Sequence, residues 1–392
     1  MFRISQYMQE LLAPTPLEPK RNPPGPVVIW NLTRRCNLAC KHCYAISSNR
    51  EFPGELSTTE VFEVMADLRR FKVPVLILSG GEPLLRPDIF AISRRAKEMG
   101  FYVGLSTNGT IIDEANIDAI AEAGYNYVGI SLDGIRETHD HFRRKAGAFE
   151  SSLSGIRLCQ ERGIRVGVRF TLTQGNAHDL PALLELMEQE NIDKFYLSHL
   201  NYAGRGNVNR KEDAFFATTR QAMDLLFEAC WRHVEQGASG SSGSAKEFVS
   251  GNNDADAIYL LHWARTRFPQ ERIDHLRGKL AQWGGNSTGI NISNIDNLGN
   301  VHPDTMWWET TLGNVRERPF SEIWPDVSNP LMAGLKAHPR PVTGRCAECA
   351  YFDVCGGNTR VRALQLTGDV WAEDPACYLT DDEIGLPQPV LG

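Results

Sequence analysis

Residues 27–43 read VVIWNLTRRCNLACKHC, a five-residue apolar run followed closely by cysteines at positions 36, 40 and 43. A short apolar run, a polar tip and a helical pattern then alternate along the chain as far as about residue 200. The further apolar runs are VPVLIL (73–78), FYVGLS (101–106), YVGIS (127–131), RVGVRF (165–170) and KFYLS (194–198). Short runs rich in β-branched residues that alternate with helices predict parallel strands joined by right-handed crossovers. Six such units predict an α/β fold built on an open, partial (β/α)6 barrel.

The unusual polar residues follow the carboxyl ends of the predicted strands. These tips are Thr33 to Cys43, SGGEP (79–83), STNG (106–109), SLDG (131–134), Thr171 to Asn176 and His199 to Asn207. In a TIM-like barrel the loops at the carboxyl ends of the strands carry the chemistry. The sequence therefore predicts one site that faces the open end of the barrel.

The rest of the chain predicts three further parts. Residues 1–26 are polar, end in a proline-rich stretch and are expected to be an extended segment without a core of its own; the barrel follows at 27–212. Residues 213–285 are expected to form a helical bridge, with helices at 213–236 and 254–283 and a flexible Gly/Ser tract at 237–245. Residues 286–392 are expected to form a small α+β domain that begins with a hairpin at 290–304 and carries four cysteines.

Composition excludes several classes of protein. The 392 residues are 42% hydrophobic and 23% charged, which is typical of a folded chain and not of a disordered one. The net charge of −7 argues against a nucleic-acid partner, and no apolar run reaches the roughly 18 residues of a membrane span. Without a signal-peptide pattern, we expect a cytoplasmic protein whose nine cysteines stay reduced.

The first cysteine group, Cys36, Cys40 and Cys43, forms a Cx3Cx2C array. A structural zinc site is closed by four ligands, whereas a 4Fe–4S cluster held by three cysteines leaves one iron open. Zinc with a distant fourth ligand stays an alternative on spacing alone. The next strand tip adds Gly80-Gly81-Glu82-Pro83, in which glycines permit close backbone approach and a carboxylate can bind an ammonium group.

Together, Cx3Cx2C and GGEP resemble the radical S-adenosylmethionine (SAM) superfamily over roughly residues 27–200. The resemblance implies that the open iron chelates SAM and that electron transfer cleaves a C–S bond to give a 5′-deoxyadenosyl radical. It also implies a SAM pocket in which Glu82 and the backbone around Gly80 and Gly81 hold the amino group. The other residues implied for the SAM pocket are His42 near the adenine, Pro83, Thr107 and Asn108 at strand tips, Ser131 and Asp133 at the ribose, and Arg169 at the carboxylate.

The C-terminal cysteine group comprises Cys346, Cys349, Cys355 and Cys377, and four thiolates in one segment also suit zinc. The segment resembles the SPASM or twitch auxiliary domains of some radical SAM enzymes. The full SPASM pattern has seven cysteines, but here Asp304 and Thr359 stand at two of those positions. Four thiols are enough for one fully ligated auxiliary 4Fe–4S cluster, with Cys377 the least certain ligand. The remaining Cys159 and Cys230 are expected to be buried free thiols.

The whole pattern resembles most closely the radical SAM proteins of heme d1 biosynthesis, through TRRCNLACKHCYA, ILSGGEPLLRPD, SGNNDADA and CAECAYFDVCGGN. That resemblance implies a tetrapyrrole substrate, 12,18-didecarboxysiroheme, which loses two propionate side chains on the way to oxo groups, and an electron donor such as flavodoxin or ferredoxin. Candidate substrate residues are His199, Tyr202 and Arg205, together with Trp307 and Trp308. The alternatives are a peptide-modifying SPASM enzyme, a heme-pathway radical SAM decarboxylase and a non-catalytic zinc scaffold.

Overall fold

The structure is a computed structural model that describes residues 1–18, 25–238 and 246–386. Its centre is one ten-stranded sheet in the order β10-β9-β8-β1-β2-β3-β4-β5-β6-β7. The strands are β1 (Val27–Asn31), β2 (Val75–Ser79), β3 (Tyr102–Thr107), β4 (Tyr127–Ser131), β5 (Val166–Leu172), β6 (Lys194–His199), β7 (Glu247–Gly251), β8 (Ile292–Ile295), β9 (Asn300–His302) and β10 (Gly313–Asn314).

Strands β1 to β7 are parallel to their neighbours, and β8 adds a further parallel strand beside β1. Strands β9 and β10 continue the sheet in antiparallel fashion. The predicted α/β partial barrel is therefore confirmed, and all six predicted strands are present within two residues of their expected bounds. The predicted hairpin at 290–304 is also confirmed as β8 and β9.

Helices cover the sheet, and five short helices lie in the described part of the segment that follows β10. They are α1 (Ile4–Leu12), α2 (Thr58–Arg70), α3 (Ile89–Glu98), α4 (Ile117–Glu122), α5 (Glu137–Arg143), α6 (Ala148–Glu161), α7 (Leu180–Gln189), α8 (Arg205–Val208), α9 (Phe216–Ala238), α10 (Asp256–Arg265), α11 (Gln270–Trp283), α12 (Phe320–Ile323), α13 (Pro330–Lys336), α14 (Arg345–Glu348), α15 (Phe352–Cys355) and α16 (Arg360–Thr367).

Helix α2 shows how local sequence sets an element of the barrel. The Ser57 hydroxyl accepts from the Glu60 backbone N–H, while the Glu60 carboxylate accepts from the Ser57 N–H at 2.7 Å, which completes a capping box. Val61, Met65 and Leu68 recur at helical spacing and are fully buried. The helix therefore begins at a defined residue and turns one apolar face towards the sheet.

The expectation of an extended N-terminal segment without a core is wrong for residues 4–12. These residues form α1, whose Ile4, Met8 and Leu11 join the main hydrophobic core. The Phe2 backbone exchanges hydrogen bonds of 2.7 and 2.9 Å with Ser250 and so pairs with the free edge of β7. The i, i+4, i+7 spacing of the three apolar residues was a helix signal that the proline-rich stretch after them obscured.

The helical bridge also differs from expectation. Residues 247–251 add strand β7 to the sheet, and the helix expected over 254–283 is two helices, because Pro269 caps the start of α11. Residues 239–245 of the Gly/Ser tract lie outside the described residues. Since β8 is hydrogen-bonded to β1, the sheet continues across the domain boundary predicted at 285/286, and that boundary stays a prediction.

Among the described residues, no helix combines the length and the apolar character needed to cross a membrane.

Cys159 and Cys230 are fully buried free thiols in α6 and α9, as expected.

Candidate active site

The first cysteine group lies in the loop that follows β1 at the carboxyl end of the sheet. Cys36 and Cys40 are 6% and 7% exposed and form a compact cluster with Leu38, against which Cys43 packs. Backbone N–H groups point at two of the sulfurs: Leu38 N lies 3.4 Å from Cys36 Sγ, and Ser47 N lies 3.4 Å from Cys43 Sγ. The loop therefore gathers three thiols and supplies donors to them.

Burial keeps two of these thiols protonated when no cation is bound. Burial and, after it, the nearby Glu82 carboxylate raise the pKa of Cys36 to about 12. Burial likewise raises the pKa of Cys40. Cysteine binds metal as the thiolate, so buried thiols without a compensating cation remain protonated, and metal binding releases their protons. The donor set and its surroundings thus fit a three-cysteine iron–sulfur cluster.

A buried ion pair supports the middle cysteine. The Arg143 guanidinium lies 3.5 Å from Cys40 Sγ and contacts the fully buried Asp133 carboxylate. Asp133 also accepts from the Thr171 N–H at 2.6 Å. The sequence predicted Asp133 as a ligand of the SAM ribose, but in the structure its carboxylate is engaged by this chain. The ribose role stays a prediction, and Arg143 is a contact of the cysteine group that sequence reasoning missed.

The GGEP turn packs directly against the cysteine loop. Gly81 N donates to Thr33 O at 2.7 Å, and a Cβ at Gly81 would lie only 2.2 Å from Arg35 O. A Cβ at Gly80 would lie 2.4 Å from Thr33 O. Glycine is therefore required here because the two loops touch backbone to backbone.

Glu82 is fully buried and joins the ends of two strands. Its carboxylate accepts from Leu84 N at 3.1 Å, Thr107 Oγ1 at 2.7 Å and Asn108 N at 2.8 Å. Burial raises the pKa of Glu82 to about 7, although these hydrogen bonds oppose the rise. Pro83 begins the short 3-10 turn that follows. The predicted contact of Glu82 with the SAM amino group stays a prediction.

Asn108 connects this turn to the cysteines. Its Nδ2 donates to Asn37 Oδ1 at 2.9 Å and lies 3.8 Å from Cys36 Sγ. Thr107 is held by Glu82, as described above. The structure therefore brings together the first cysteine group, GGEP and the β3 tip, which the sequence predicted to share one site.

The other predicted SAM residues lie around the same end of the sheet. His42 stacks on Phe142 with centroids 4.6 Å apart, and burial lowers its pKa well below the usual value, so the imidazole is neutral. Arg169 on β5 donates to the Ser106 hydroxyl, and its guanidinium lies 5.3 Å from the centre of the Tyr196 ring. Ser131 ends β4 beside Arg169 in register. Their roles in SAM binding stay predictions.

The three candidate substrate residues all have partners within the chain. His199 Nε2 lies 3.0 Å from Asp256 Oδ2, and the other oxygen of Asp256 accepts from Tyr378 Oη at 2.8 Å. The Tyr202 hydroxyl donates to Asp213 at 3.0 Å.

Arg205, the third candidate, donates to Cys40 O at 2.7 Å and to Ser47 O at 3.1 Å. It therefore braces the cysteine loop through backbone carbonyls. Trp307 is buried, whereas Trp308 is half-buried and stacks on His302 with an interplanar angle of 10°.

All four residues of the C-terminal cysteine group line one cavity, together with Ala255, Ile258, Arg345 and Asp374. Burial raises the pKa of Cys355 well above its usual value, and the other three cysteines add to the rise. In the described part of the chain, no three His, Cys, Asp or Glu side chains converge as the ligands of a single ion do, and this holds for both cysteine groups. A shared cavity with four thiols fits one cluster, which would release protons on binding.

The two positions at which a SPASM cysteine is replaced are engaged elsewhere. Asp304 is buried and accepts from the Thr288 hydroxyl and from Met306 N at 2.7 Å. Thr359 lies beside Asn201, with Nδ2 of the asparagine 3.5 Å from the hydroxyl. Neither residue lines the cavity of the C-terminal cysteine group.

Sequence comparison places the chain among known enzymes. Residues 30–187 match the Radical SAM superfamily. The chain is 56% identical over 387 residues to a "Pre-heme d1 synthase" of Dinoroseobacter shibae, covering 98% of this chain and 94% of that one. It is 46% identical to an "Fe-coproporphyrin III synthase" of Methanosarcina barkeri, covering 92% and 89% of the two chains.

Solved structures share the fold. SuiB of Streptococcus suis bound to S-adenosylmethionine superposes with a TM-score of 0.69 at 16% identity, covering 91% of this chain and 78% of SuiB. The structure of anSMEcpe with bound AdoMet and a peptide gives a TM-score of 0.65 at 17% identity, covering 90% and 93%. With the cysteine loop, the GGEP turn and near full-length relatives in agreement, the chain belongs to the radical SAM superfamily and is an enzyme.

Proposed function

We propose that this enzyme acts in heme d1 biosynthesis and removes two propionate side chains of 12,18-didecarboxysiroheme by hydrogen abstraction, on the way to oxo groups. The observation that carries the proposal is the 56% identity over 98% of the chain to the protein named Pre-heme d1 synthase. That relative outranks the Fe-coproporphyrin III synthase by ten percentage points over a similar span. We place the reaction in the cytoplasm, with a low-potential donor such as flavodoxin or ferredoxin.

The first cysteine group would hold a 4Fe–4S cluster whose open iron binds SAM, and this pair supplies the radical that abstracts hydrogen. The residues around it position and shield the site. Arg143 balances thiolate charge beside Cys40, while its ion pair with Asp133 fixes the guanidinium in place. Arg205 clamps the loop through the Cys40 carbonyl. The neutral His42, stacked on Phe142, offers an apolar ring edge that does not repel the cationic sulfonium of SAM.

The C-terminal cysteine group would hold a fully ligated auxiliary cluster that serves in electron transfer. A hydrogen-bonded chain leads from the carboxyl end of β6 to this cavity: His199, Asp256 and Tyr378, the last of which directly follows Cys377. Asp256 is fully buried and holds both rings, which lie nearly parallel with centroids 6.3 Å apart. His199 is therefore positioned between the barrel and the auxiliary site.

The second candidate function is a heme-pathway radical SAM decarboxylase that converts propionates without complete loss of the side chain. It is favoured by the 30% identity over 355 residues to an "AdoMet-dependent heme synthase" of Methanosarcina barkeri. Both candidates require a tetrapyrrole that carries carboxylates.

The test is anaerobic incubation of the reconstituted enzyme with SAM, reductant and either 12,18-didecarboxysiroheme or iron coproporphyrin III, followed by mass spectrometry. We expect loss of two propionate-derived masses from the first tetrapyrrole and no change in the second. Conversion of iron coproporphyrin III alone, with loss of carbon dioxide, would establish the second candidate instead. The same preparation should be brown; a colourless, zinc-containing protein would refute both.

A further inference from the structure

Two arginines beside the first cysteine group share one aromatic ring. The Arg34 guanidinium lies 5.0 Å from the centre of the Phe52 ring, and the Arg50 guanidinium lies 4.8 Å from the same centre. Arg34 also lies 5.9 Å from the Trp308 ring. Arginine stacked on aromatic faces keeps its N–H groups free to bind a carboxylate through two parallel hydrogen bonds.

The positive charge of this pair is not compensated within the described residues. No Asp or Glu oxygen in the described ranges lies within 4.0 Å of either guanidinium. The Arg50 side chain also makes no hydrogen bond to any described residue. A carboxylate that binds at these guanidinium groups would offset their positive charge.

A half-buried aromatic wall continues from the arginines towards the cysteines. The Trp308 ring lies 5.9 Å from the Tyr44 ring, and Tyr44 directly follows Cys43. The Tyr44 hydroxyl accepts from Asn31 Nδ2 at 2.8 Å, which fixes the ring at the carboxyl end of β1. Trp308 also stacks on the buried His302, with ring centres 5.9 Å apart. The wall is therefore rigid and lies next to the place where hydrogen abstraction would begin.

We propose that Arg34 and Arg50 bind peripheral carboxylates of the tetrapyrrole, while Trp308 and Tyr44 contact its macrocycle. The arginines, Phe52, Trp308 and Tyr44 are here called the carboxylate clamp. This inference rests on the proposed function only in taking the substrate to be a polycarboxylate tetrapyrrole. It assigns the substrate edge to the side of the barrel formed by β1, the cysteine loop and the loop after β9.

The test is a binding titration with coproporphyrin III, which carries four peripheral carboxylates, and mesoporphyrin IX, which carries two. We use the reconstituted holoenzyme and follow quenching of tryptophan fluorescence. Loss of one charge-assisted contact in R50Q should weaken coproporphyrin III binding about ten-fold or more, with a smaller effect on mesoporphyrin IX. R34Q and W308A should weaken both probes, and the dependence of the R50Q affinity on salt should be shallower than that of wild type.

Arg69→Gln is the matched control. Arg69 in α2 also stacks on a phenyl ring, with its guanidinium 5.6 Å from the centre of Phe101. Phe101 directly precedes β3, at the end of the sheet opposite the cysteine loop. Because Arg34 Nε donates to Ala45 O at 2.8 Å, R34Q can disturb the cysteine loop, whereas R50Q removes no such contact. Iron content and SAM cleavage without tetrapyrrole should be unchanged in R69Q, and R50Q should keep its iron content.

Equal affinities of R50Q and wild type for coproporphyrin III would overturn the clamp. It would also be overturned if R50Q raised the SAM concentration needed for half-maximal cleavage and left porphyrin binding unchanged, since the carboxylate bound would then be that of SAM. Weakened coproporphyrin III binding in an enzyme that does not convert 12,18-didecarboxysiroheme would support the clamp and refute the proposed function.

Discussion

Replacing Arg362 with Met should detach the auxiliary segment from the barrel. Arg362 in α16 and Asp374 are both fully buried and joined by two hydrogen bonds of 3.0 and 2.7 Å. The remaining N–H groups of Arg362 donate to Asn252 O at 2.7 Å and Leu200 O at 3.3 Å, at the ends of β7 and β6. One side chain thus connects the segment that precedes Cys377 to two barrel strands.

The expected loss of stability follows from this burial. Removing one partner of a buried ion pair leaves an uncompensated charge and costs about 3–5 kcal/mol. An unfolding entropy of about 2 cal/mol/K per residue gives roughly 0.8 kcal/mol per degree for a chain of this length, so the Tm should fall by about 4–6 °C. The double variant Arg362→Met with Asp374→Leu should recover part of the loss, because it removes both charges.

The assay is anaerobic thermal unfolding of reconstituted protein, with iron measured on each sample. Arg157→Met is the control, since Arg157 makes a similar two-bond pair with Glu190 but is 54% exposed. It should lower the Tm by about 1 °C or less. Arg362→Met should also lose auxiliary iron before first-cluster iron. Equal shifts for the two variants, or full iron content in Arg362→Met, would refute this account of how the auxiliary segment is held.

Three further predictions concern the clusters and the amino-terminal helix. Replacing the first cysteine group by Ala should lower iron from about eight to about four per chain and abolish SAM cleavage. Replacing Cys346, Cys349 and Cys355 should remove a similar amount of iron and keep SAM cleavage without tetrapyrrole. Retained iron in either variant would contradict the assignment of a cluster to the replaced cysteines. Gly81→Ala should lose first-cluster iron because its Cβ would lie 2.2 Å from Arg35 O, whereas Gly237→Ala, whose Cβ meets nothing within 4 Å, should keep it. Burial opposes ionisation of Glu10, but hydrogen bonds from Thr15 and His275 hold its pKa at about 2, below the ordinary 4.5. The stabilising effect of the ionised Glu10 is therefore complete above about pH 4.5 and is lost as the pH falls towards 2. The Tm difference between wild type and Glu10→Gln should be constant from pH 7 to 5 and shrink below 4.5. A Tm difference that stays constant at lower pH would contradict this role of Glu10.

Much of the fold and part of the site could be predicted because each depends on local sequence. Short apolar runs that alternate with helical patterns located six strands, and the spacing of Cys36, Cys40 and Cys43 indicated a metal-binding loop at a strand end. The Gly80-Gly81 pair could be singled out, but its reason could not: only the structure shows that the two glycines touch the backbone of Thr33 and Arg35.

What could not be predicted depends on contacts between distant parts of the chain. Arg143 supports Cys40 across 103 positions, and Asp256 joins His199 to Tyr378 across 57 and 122 positions. Strand β7 has only five residues and follows the Gly/Ser tract, so the sequence did not distinguish it from a loop. Its pairing with β6 is visible only in the structure. The shared ring of Arg34 and Arg50 likewise arises from a turn of the cysteine loop that carries no sequence motif.

The central claim is that hydrogen abstraction begins on the tetrapyrrole propionates. The most direct test supplies 12,18-didecarboxysiroheme deuterated in its propionate side chains to the reduced holoenzyme with unlabelled SAM, and measures the mass of the 5′-deoxyadenosine formed. The account predicts that one molecule of singly deuterated 5′-deoxyadenosine forms for each side chain lost. Unlabelled 5′-deoxyadenosine formed together with propionate-free product would contradict it.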